Sequence, residues 1–327
     1  MNAALAVVEP ASTGLGGDCF ALIYRAADRS VHGLNGSGRT SSECTLDRFR
    51  ERLRETTDCD DPTKIEPSHA LNVTVPGNVC GSMDVLERFG SMSRERVLSP
   101  AIALAEKGFA VGPVTAYWWN QSVSKLTTTN ALDPNGHGLG LLMKGDDGTF
   151  CAPKTGDVMT NRFVADCLRR IVVDGKGAFY GGVIADRIVA AVQRRGGLLT
   201  TSDLRAHRSE WVEPIGIDYK ETVRIWEIPP NGQGIAALMA LNFYQEKLGM
   251  ATNQDLDDHE QFAADLHLKA ECMRSSFRFS RKFISDLSHP DGRDVDLRRY
   301  LSSEFARKVA AEDIAVDAVN GESLKKA

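Results

Sequence analysis

The stretch from Glu9 to Arg39, EPASTGLGGDCFALIYRAADRSVHGLNGSGR, constrains the fold more than any other part of the chain. A loop from Pro10 through Gly14-Leu-Gly-Gly leads into the apolar run Cys19–Tyr24. The chain turns through Ala27-Asp28-Arg29-Ser30, returns through Val31–Leu34, and closes on Asn35-Gly-Ser-Gly-Arg39. Six glycines in this span require either left-handed backbone or close approach by something else. The apolar runs between them predict a buried hairpin. Arg39 follows the last glycine, where a strand ends and a ligand can be met. Its planar, permanently charged fork suits a carboxylate gripped by two parallel hydrogen bonds. From the residues alone three readings stand: a glycine-rich hairpin with an exposed arginine, a phosphate loop, and an anchor for a small carboxylate. The phosphate loop fails on context, because Gly14-Leu-Gly-Gly precedes a strand rather than opening a helix.

Composition narrows the class. A chain of 327 residues, 42% hydrophobic, buries a substantial core as one large domain or two. No apolar run approaches the roughly 18 residues of a membrane span. The start, Met-Asn-Ala-Ala-Leu-Ala-Val-Val, has no basic region of a signal peptide. A net charge of −5 with interspersed signs argues against nucleic acid. Seven scattered cysteines without a Cys-x-x-Cys pair fit a reducing compartment, so a cytoplasmic location is expected.

Along the chain, Met1–Val8 reads as the last turn of a helix. Thr45 caps a short amphipathic helix carrying Leu46, Phe49 and Leu53. The acidic segment 56–67, with Asp58-Cys59-Asp60-Asp61, reads as a solvated loop rather than a metal site. Helical texture dominates from Asn78 to Arg195, with Gly90 and Gly108 as stops. Of the adjacent Trp118 and Trp119, one at most faces the core. Thr160 is read as a helix cap, and 130–153 as an extended loop. Val212–Tyr219 and Thr222–Ile228 read as two strands, followed by Pro229-Pro230-Asn-Gly-Gln-Gly and an apolar helix, Ile235–Leu248. No Lys-Ser or Lys-Thr follows those glycines, which excludes a Walker motif. Position 263 is alanine, which excludes the metalloprotease pattern after His259-Glu260. His267 and Glu271 share a helix face, where a structural hydrogen bond is expected rather than a metal. No metal site and no cofactor are expected.

One set of blocks resembles a known family. Glu9-Pro10 through Gly16-Gly17, Phe20, Tyr24, Leu34-Asn35-Gly36 and Gly38-Arg39 are similar to the heavy-subunit signature of the γ-glutamyltranspeptidases, which are N-terminal-nucleophile (Ntn) hydrolases. The similarity continues at Val75-Pro76-Gly77, Pro100-Ala101-Ile102, Phe179-Tyr180, Gly196–Thr200, Asp203-Leu204, Glu213-Pro214-Ile215 and Ile228–Gly234, in the family's order across nearly the whole chain. The Asn-Gly-Gln-Gly form and Gly17-Asp18 resemble the cytoplasmic bacterial branch of γ-glutamyltransferases and related amide hydrolases.

The resemblance implies an α+β chain, residues 1–327, forming the heavy-subunit part of an αββα Ntn-hydrolase sandwich. A helical lobe is expected at about 78–195, with sheet elements at about 17–40 and 211–229. It implies γ-glutamyl transfer or hydrolysis through an acyl-enzyme on the N-terminal threonine of a small subunit. That threonine's own α-amine, titrating near ~7.7–8.0, serves as base. No residue of this chain matches that nucleophile; Thr149 and Thr127-Thr128-Thr129 do not head the required strand. The chain alone is therefore expected to be inactive, with its ends shortened relative to the family. Arg39 is the one functional residue carried over, as the ligand for the glutamyl α-carboxylate. Ser41-Ser42 replaces the usual Ala-Pro and predicts a less rigid loop. Ser280-Arg281 replaces Asp-Arg, which predicts the loss of a helix-end salt bridge; His207 stands where a tyrosine is usual, with little consequence expected. Two other functions remain open: hydrolysis of another small acyl amide, such as oxamate or a cephalosporin side chain, and a non-catalytic binding or assembly subunit.

Overall fold

Helix α1 (Asn2–Val8) opens the chain and leads through the glycine loop into the hairpin of β1 (Cys19–Arg25) and β2 (Ser30–Gly36). The structure is a computed structural model that describes residues 1–57, 61, 64–131, 140–145, 147–248, 259–288 and 295–312. The hairpin turn places Arg29 in the left-handed region, at φ 55°. On β1 the expectation of a buried hairpin fails for one face. Phe20, Leu22 and Tyr24 recur at the strand period of two, and all three are exposed.

Contacts divide the chain into two compact units, Met1–Phe20 with Asn35–Glu210, and Ala21–Leu34 with Trp211–Ala327. In the first, α2 (Leu46–Thr56) begins where the Thr45 hydroxyl accepts the Arg48 N–H at 3.3 Å, as its sequence foretold. Then come α3 (Asn78–Phe89) and α4 (Arg94–Lys107), the latter capped by Ser93 and stopped at Gly108, whose φ of 91° suits only glycine. After β3 (Phe109–Ala110), α5 (Pro113–Ala131) buries Trp119, whose indole donates to the Leu141 carbonyl at 2.7 Å, and leaves Trp118 outside. Short strands β4 (Met143–Lys144), β5 (Phe150–Cys151) and β6 (Val158–Met159) follow. They form two small ladders, β4 with β5 and β3 with β6. Residues 132–139 of the expected loop lie outside the described residues, as do 58–60 of the acidic cluster.

Helix α6 (Arg162–Asp174) is capped by Asn161, which accepts the Val164 N–H at 3.1 Å, and not by Thr160. Asparagine's carbonyl oxygen does there what the threonine hydroxyl was expected to do. Of its buried face, Leu168 and Ile171 pack into a core with Val79, Met83, Leu98 and Phe179, while Ala165 packs with Val7 and Ala105. Each large aliphatic side chain buried in that core contributes roughly 1.5–3 kcal/mol. Helices α7 (Lys176–Tyr180), α8 (Gly182–Gln193) and α9 (Thr201–Ala206) complete the unit.

Strand β7 (Glu210–Val212) joins the hairpin in a sheet of order β1–β2–β7. The sequence reading ran 212–219 as one strand. The structure ends β7 at Val212 and starts β8 (Ile215–Tyr219) after Pro214, which has no N–H to continue a ladder. Gly33 accommodates the neighbouring strand, since a Cβ there would stand 2.9 Å from the Val212 carbonyl oxygen. β8 pairs antiparallel with β9 (Val223–Glu227), Ile217 opposite Ile225. Lys220 and Glu221 turn between them at positive φ.

The second unit's core is helical. α10 (Gly234–Leu248) buries Ile235, Met239 and Phe243 against α11 (His259–Phe283) and α13 (Ser303–Glu312). Phe279, Phe305 and Tyr300, the last from α12 (Leu297–Tyr300), meet edge to face, Phe279 and Phe305 at 5.3 Å. No helix among the described residues is long and apolar enough to cross a membrane.

Candidate active site

The site around Arg39 is assembled by backbone crossings. None of the six glycines between Gly14 and Gly38 has a positive φ, so close approach is the reason for those at the crossing. A Cβ on Gly38 would overlap the Val75 carbonyl oxygen, and one on Gly77 would overlap the Gly36 carbonyl oxygen. What comes close is the chain itself. The Gly17 carbonyl accepts from the N–H groups of Gly77 at 3.0 Å and Asn78 at 2.8 Å, while the Asn78 amide donates to the Gly14 carbonyl at 2.8 Å. Asp18 Oδ1 accepts the Gly38 N–H at 2.7 Å, and the Arg39 carbonyl accepts the Val75 N–H at 3.0 Å. The backbone that carries Arg39 is thus held from both sides.

The loop beyond Arg39 is anchored as well, contrary to the reading of Ser41-Ser42 as a loosening of it. Asp203 accepts from the Ser41 hydroxyl at 2.8 Å, the Ser42 N–H at 2.9 Å and the Ser42 hydroxyl at 2.7 Å. The same carboxylate accepts the Thr200 N–H at 2.9 Å and hydroxyl at 2.7 Å, closing a capping box at the start of α9. Burial alone would raise the Asp203 pKa. The donors from Ser42, Thr200 and Ser41 overcome it and hold the carboxyl well below the usual carboxylate range. Serines do here by hydrogen bonding what a proline does by restricting the backbone.

The Arg39 side chain is half exposed, at 58%, and its Nη2 donates to Glu210 Oε1 at 2.5 Å; the Glu210 side chain is 47% exposed. The guanidinium therefore stands at the surface of its unit with a carboxylate of the same chain in its fork.

Near it lies a polar cluster that the sequence did not single out. Asp84 accepts from Lys176 and from the Ser209 hydroxyl, and Ser209 reaches Cys80 Sγ at 3.2 Å. Burial opposes ionisation of Asp84, but hydrogen bonds from Lys176 and Ser209 prevail and lower its pKa. The Tyr180 hydroxyl donates to the Pro76 carbonyl at 2.6 Å and accepts the Cys80 N–H at 2.9 Å. Burial drives the Tyr180 pKa far up, so the phenol stays neutral. The His207 ring stacks on Tyr180 with centroids 5.4 Å apart. The two rings are what the aromatic position at 207 provides for.

Other candidates resolve locally. Thr149 donates to Asp147 and Thr127 to the carbonyls of its own helix. Glu271 pairs with Arg274 instead of His267. Among the described residues no group of His, Cys, Asp and Glu is placed to hold a metal.

The mixed helix–strand fold is that of the Ntn hydrolases. Over most of its length it superimposes on a cephalosporin acylase from Bacillus halodurans, with a TM-score of 0.79 and 33% identity, covering 95% of this chain and 53% of that one. It likewise superimposes on the Helicobacter pylori gamma-glutamyltranspeptidase, with a TM-score of 0.81 at 21% identity, covering 98% of this chain and 85% of that one. The sequence profile of the gamma-glutamyltranspeptidase family matches residues 1–325, and the chain belongs to that family. It is 31% identical to the glutathione hydrolase-like YwrD proenzyme of Bacillus subtilis (strain 168) over 326 residues, 99% of this chain and 56% of that protein. The chain thus spans about half the length of such relatives.

Proposed function

We propose that the chain supplies the carboxylate-binding part of a γ-glutamyl amide hydrolase or transferase, with Arg39 as the anchor for the donor's α-carboxylate. The observation that carries this reading is the Arg39 guanidinium itself. The backbone carrying it is held by Asp18 and Val75, while the side chain is half exposed and already engaged with a carboxylate oxygen at 2.5 Å. In this reading a second chain brings an N-terminal threonine. Its hydroxyl attacks the γ-carbonyl while its α-amine takes the proton, and the leaving amine departs protonated. The acyl-enzyme then passes its acyl group to water or to an amino-acid amine. Backbone N–H groups of the second chain hold the tetrahedral oxyanion. Arg39 contributes binding and register, so that the γ-carbonyl meets the nucleophile. Alone, the chain has no turnover.

The YwrD relative is named a proenzyme, which supports a partner that arises by self-cleavage. A cytoplasmic setting goes with this reading, the six cysteines among the described residues all being free thiols.

A second reading is favoured by Glu210. Its carboxylate neutralises Arg39, and a donor without an α-carboxylate would leave that pair closed. The enzyme would then act on another small acyl amide, a class to which the substrate of the acylase relative belongs by its name. One experiment separates the outcomes. The protein isolated from its native cells is analysed by intact mass spectrometry and assayed with a γ-glutamyl anilide and its glutaryl counterpart. A second, threonine-headed chain with preference for the γ-glutamyl donor supports the first reading. A single unprocessed chain without activity on either donor refutes both.

A further inference from the structure

Beside the Arg39 site, and within the same unit, a cavity of about 420 Å³ opens between α7, the start of α8 and the end of α9. Its size falls in the range of small-molecule sites, roughly 300–1,000 Å³. Its lining is one-sided in charge: Lys176, Arg205 and Arg208 contribute cations, and no carboxylate is among the lining residues. This occurs in a chain whose net charge is −5. Lys176 is balanced from outside the lining by Asp84 and, at 3.8 Å, by Glu87. Arg208 Nη1 donates to the carbonyls of Arg205 at 2.8 Å and His207 at 2.6 Å, and no carboxylate pairs with its charge among the described residues. The Arg205 guanidinium has neither an ion-pair nor a hydrogen-bond partner among the described residues. The cavity thus keeps a surplus of positive charge.

Two further observations point the same way. Gly181 lines the cavity and is the N-cap of α8, a helix of 12 residues, with no side-chain cap on the N–H groups of its first turn. Such a terminus carries about half a positive charge and donors that favour an anion. His207, also in the lining, is 7% exposed, and its Nε2 has no hydrogen-bond partner among the described residues. A buried ring nitrogen left without a partner costs free energy that a bound ligand can recover. Burial lowers the His207 pKa; Arg39 and Arg208 push it the same way, against Asp18 and Asp84. An anion in the cavity would act with Asp18 and Asp84 to favour the protonated ring.

We propose that this cavity is a binding site for a small oxyanion, a phosphate or carboxylate group on a ligand of metabolite size. Arg205 and Arg208 supply charge, the α8 terminus supplies backbone donors, and His207 contributes a ring nitrogen. Arg39 is not among the lining residues and the lining belongs wholly to this chain, so the binding test is read separately from the catalytic reading.

The test uses the chain as it stands. Inorganic phosphate, and in a separate arm citrate, is titrated at constant ionic strength while the His207 ring resonances are followed by NMR. The expected result is a saturable shift of the His207 signals. Arg205→Ala should weaken the apparent affinity by about tenfold, the effect of losing one charge-assisted hydrogen bond. Lys308→Ala, an exposed lysine on α13, should leave it unchanged. Gly177→Leu gives a second variant, because a Cβ at that lining position meets nothing within 4 Å and a larger side chain can fill the space. This variant should abolish the saturable shift. The phosphate and citrate arms tell which oxyanion fits better. A shift that does not saturate, or equal affinities in wild type, Arg205→Ala and Gly177→Leu, would mean an adventitious ion only and overturn the proposal.

Discussion

An arginine–carboxylate pair in contact with solvent is worth about 0–1 kcal/mol, a weakness that, under the proposed function, would let Arg39 exchange Glu210 for a donor carboxylate. In the processed enzyme, Glu210→Gln should therefore lower KM for carboxylate-bearing donors by up to about fivefold while leaving kcat unchanged. Initial-rate kinetics on paired donors decide it, and a raised KM would mean that Glu210 helps the donor to bind. Asp203 offers a test by pH. Its folded pKa is depressed, so its contribution to stability is complete above the unfolded value of about 3.9 and is lost as pH falls toward the folded one. Asp203→Asn should destabilise the chain at neutral pH and flatten its loss of stability in acid, as read from urea midpoints between pH 7 and pH 3. The exposed place of Arg39 just beyond a strand end was legible in the sequence, because it follows the glycines. Its partner was not: Glu210 lies 171 residues away, and Asp203 lies 162 from Ser41, distances that local pattern does not bridge.

At the scale of elements, helices with a capping residue or a glycine stop were readable, α2 and α4 above all. Misreadings fell where one local cue competed with another. Thr160 and Asn161 are both good caps, and only the asparagine faces the free N–H of Val164. Strand β7 was merged with β8 because the alternation passes through Glu213, whereas Pro214 and the pairing of β7 in the hairpin's sheet separate them. The glycines were read correctly as special but with two possible causes, and backbone crossing is the one found. Gly38→Ala should then cost at least about 1–3 kcal/mol despite an ordinary φ, because the added methyl meets a fixed carbonyl rather than a flexible side chain. Thermal unfolding measures this, and a Tm equal to wild type would contradict the crossing as described.

For the molecule as a whole, family membership extends over residues 1–325, while the YwrD relative is nearly twice as long. The exposed stripe of Phe20, Leu22 and Tyr24 is where burial was expected and is absent within this chain. If a second chain covers it, Leu22→Lys should leave the Tm of this chain within the small range of surface substitutions, about ±0.5 kcal/mol. Under the proposed function, the same change should reduce recovery of the two-chain enzyme. Recovery unchanged by that charge would place the second chain elsewhere. The His207 cavity was not visible in the sequence, since Lys176 and Tyr180 of α7 meet Arg205 of α9 and Arg208 just beyond it only through tertiary packing.

The central claim is that Arg39 reads the donor's α-carboxylate, and a donor pair tests it most directly. With the processed enzyme, kcat/KM is measured for a γ-glutamyl anilide and for the same donor with its α-carboxylate converted to the amide, in wild type and in Arg39→Ala. The account predicts that wild type prefers the carboxylate donor by about 10- to 100-fold, the worth of a charge-assisted hydrogen-bond pair, and that the variant loses this preference. A variant that keeps the wild-type preference would contradict it.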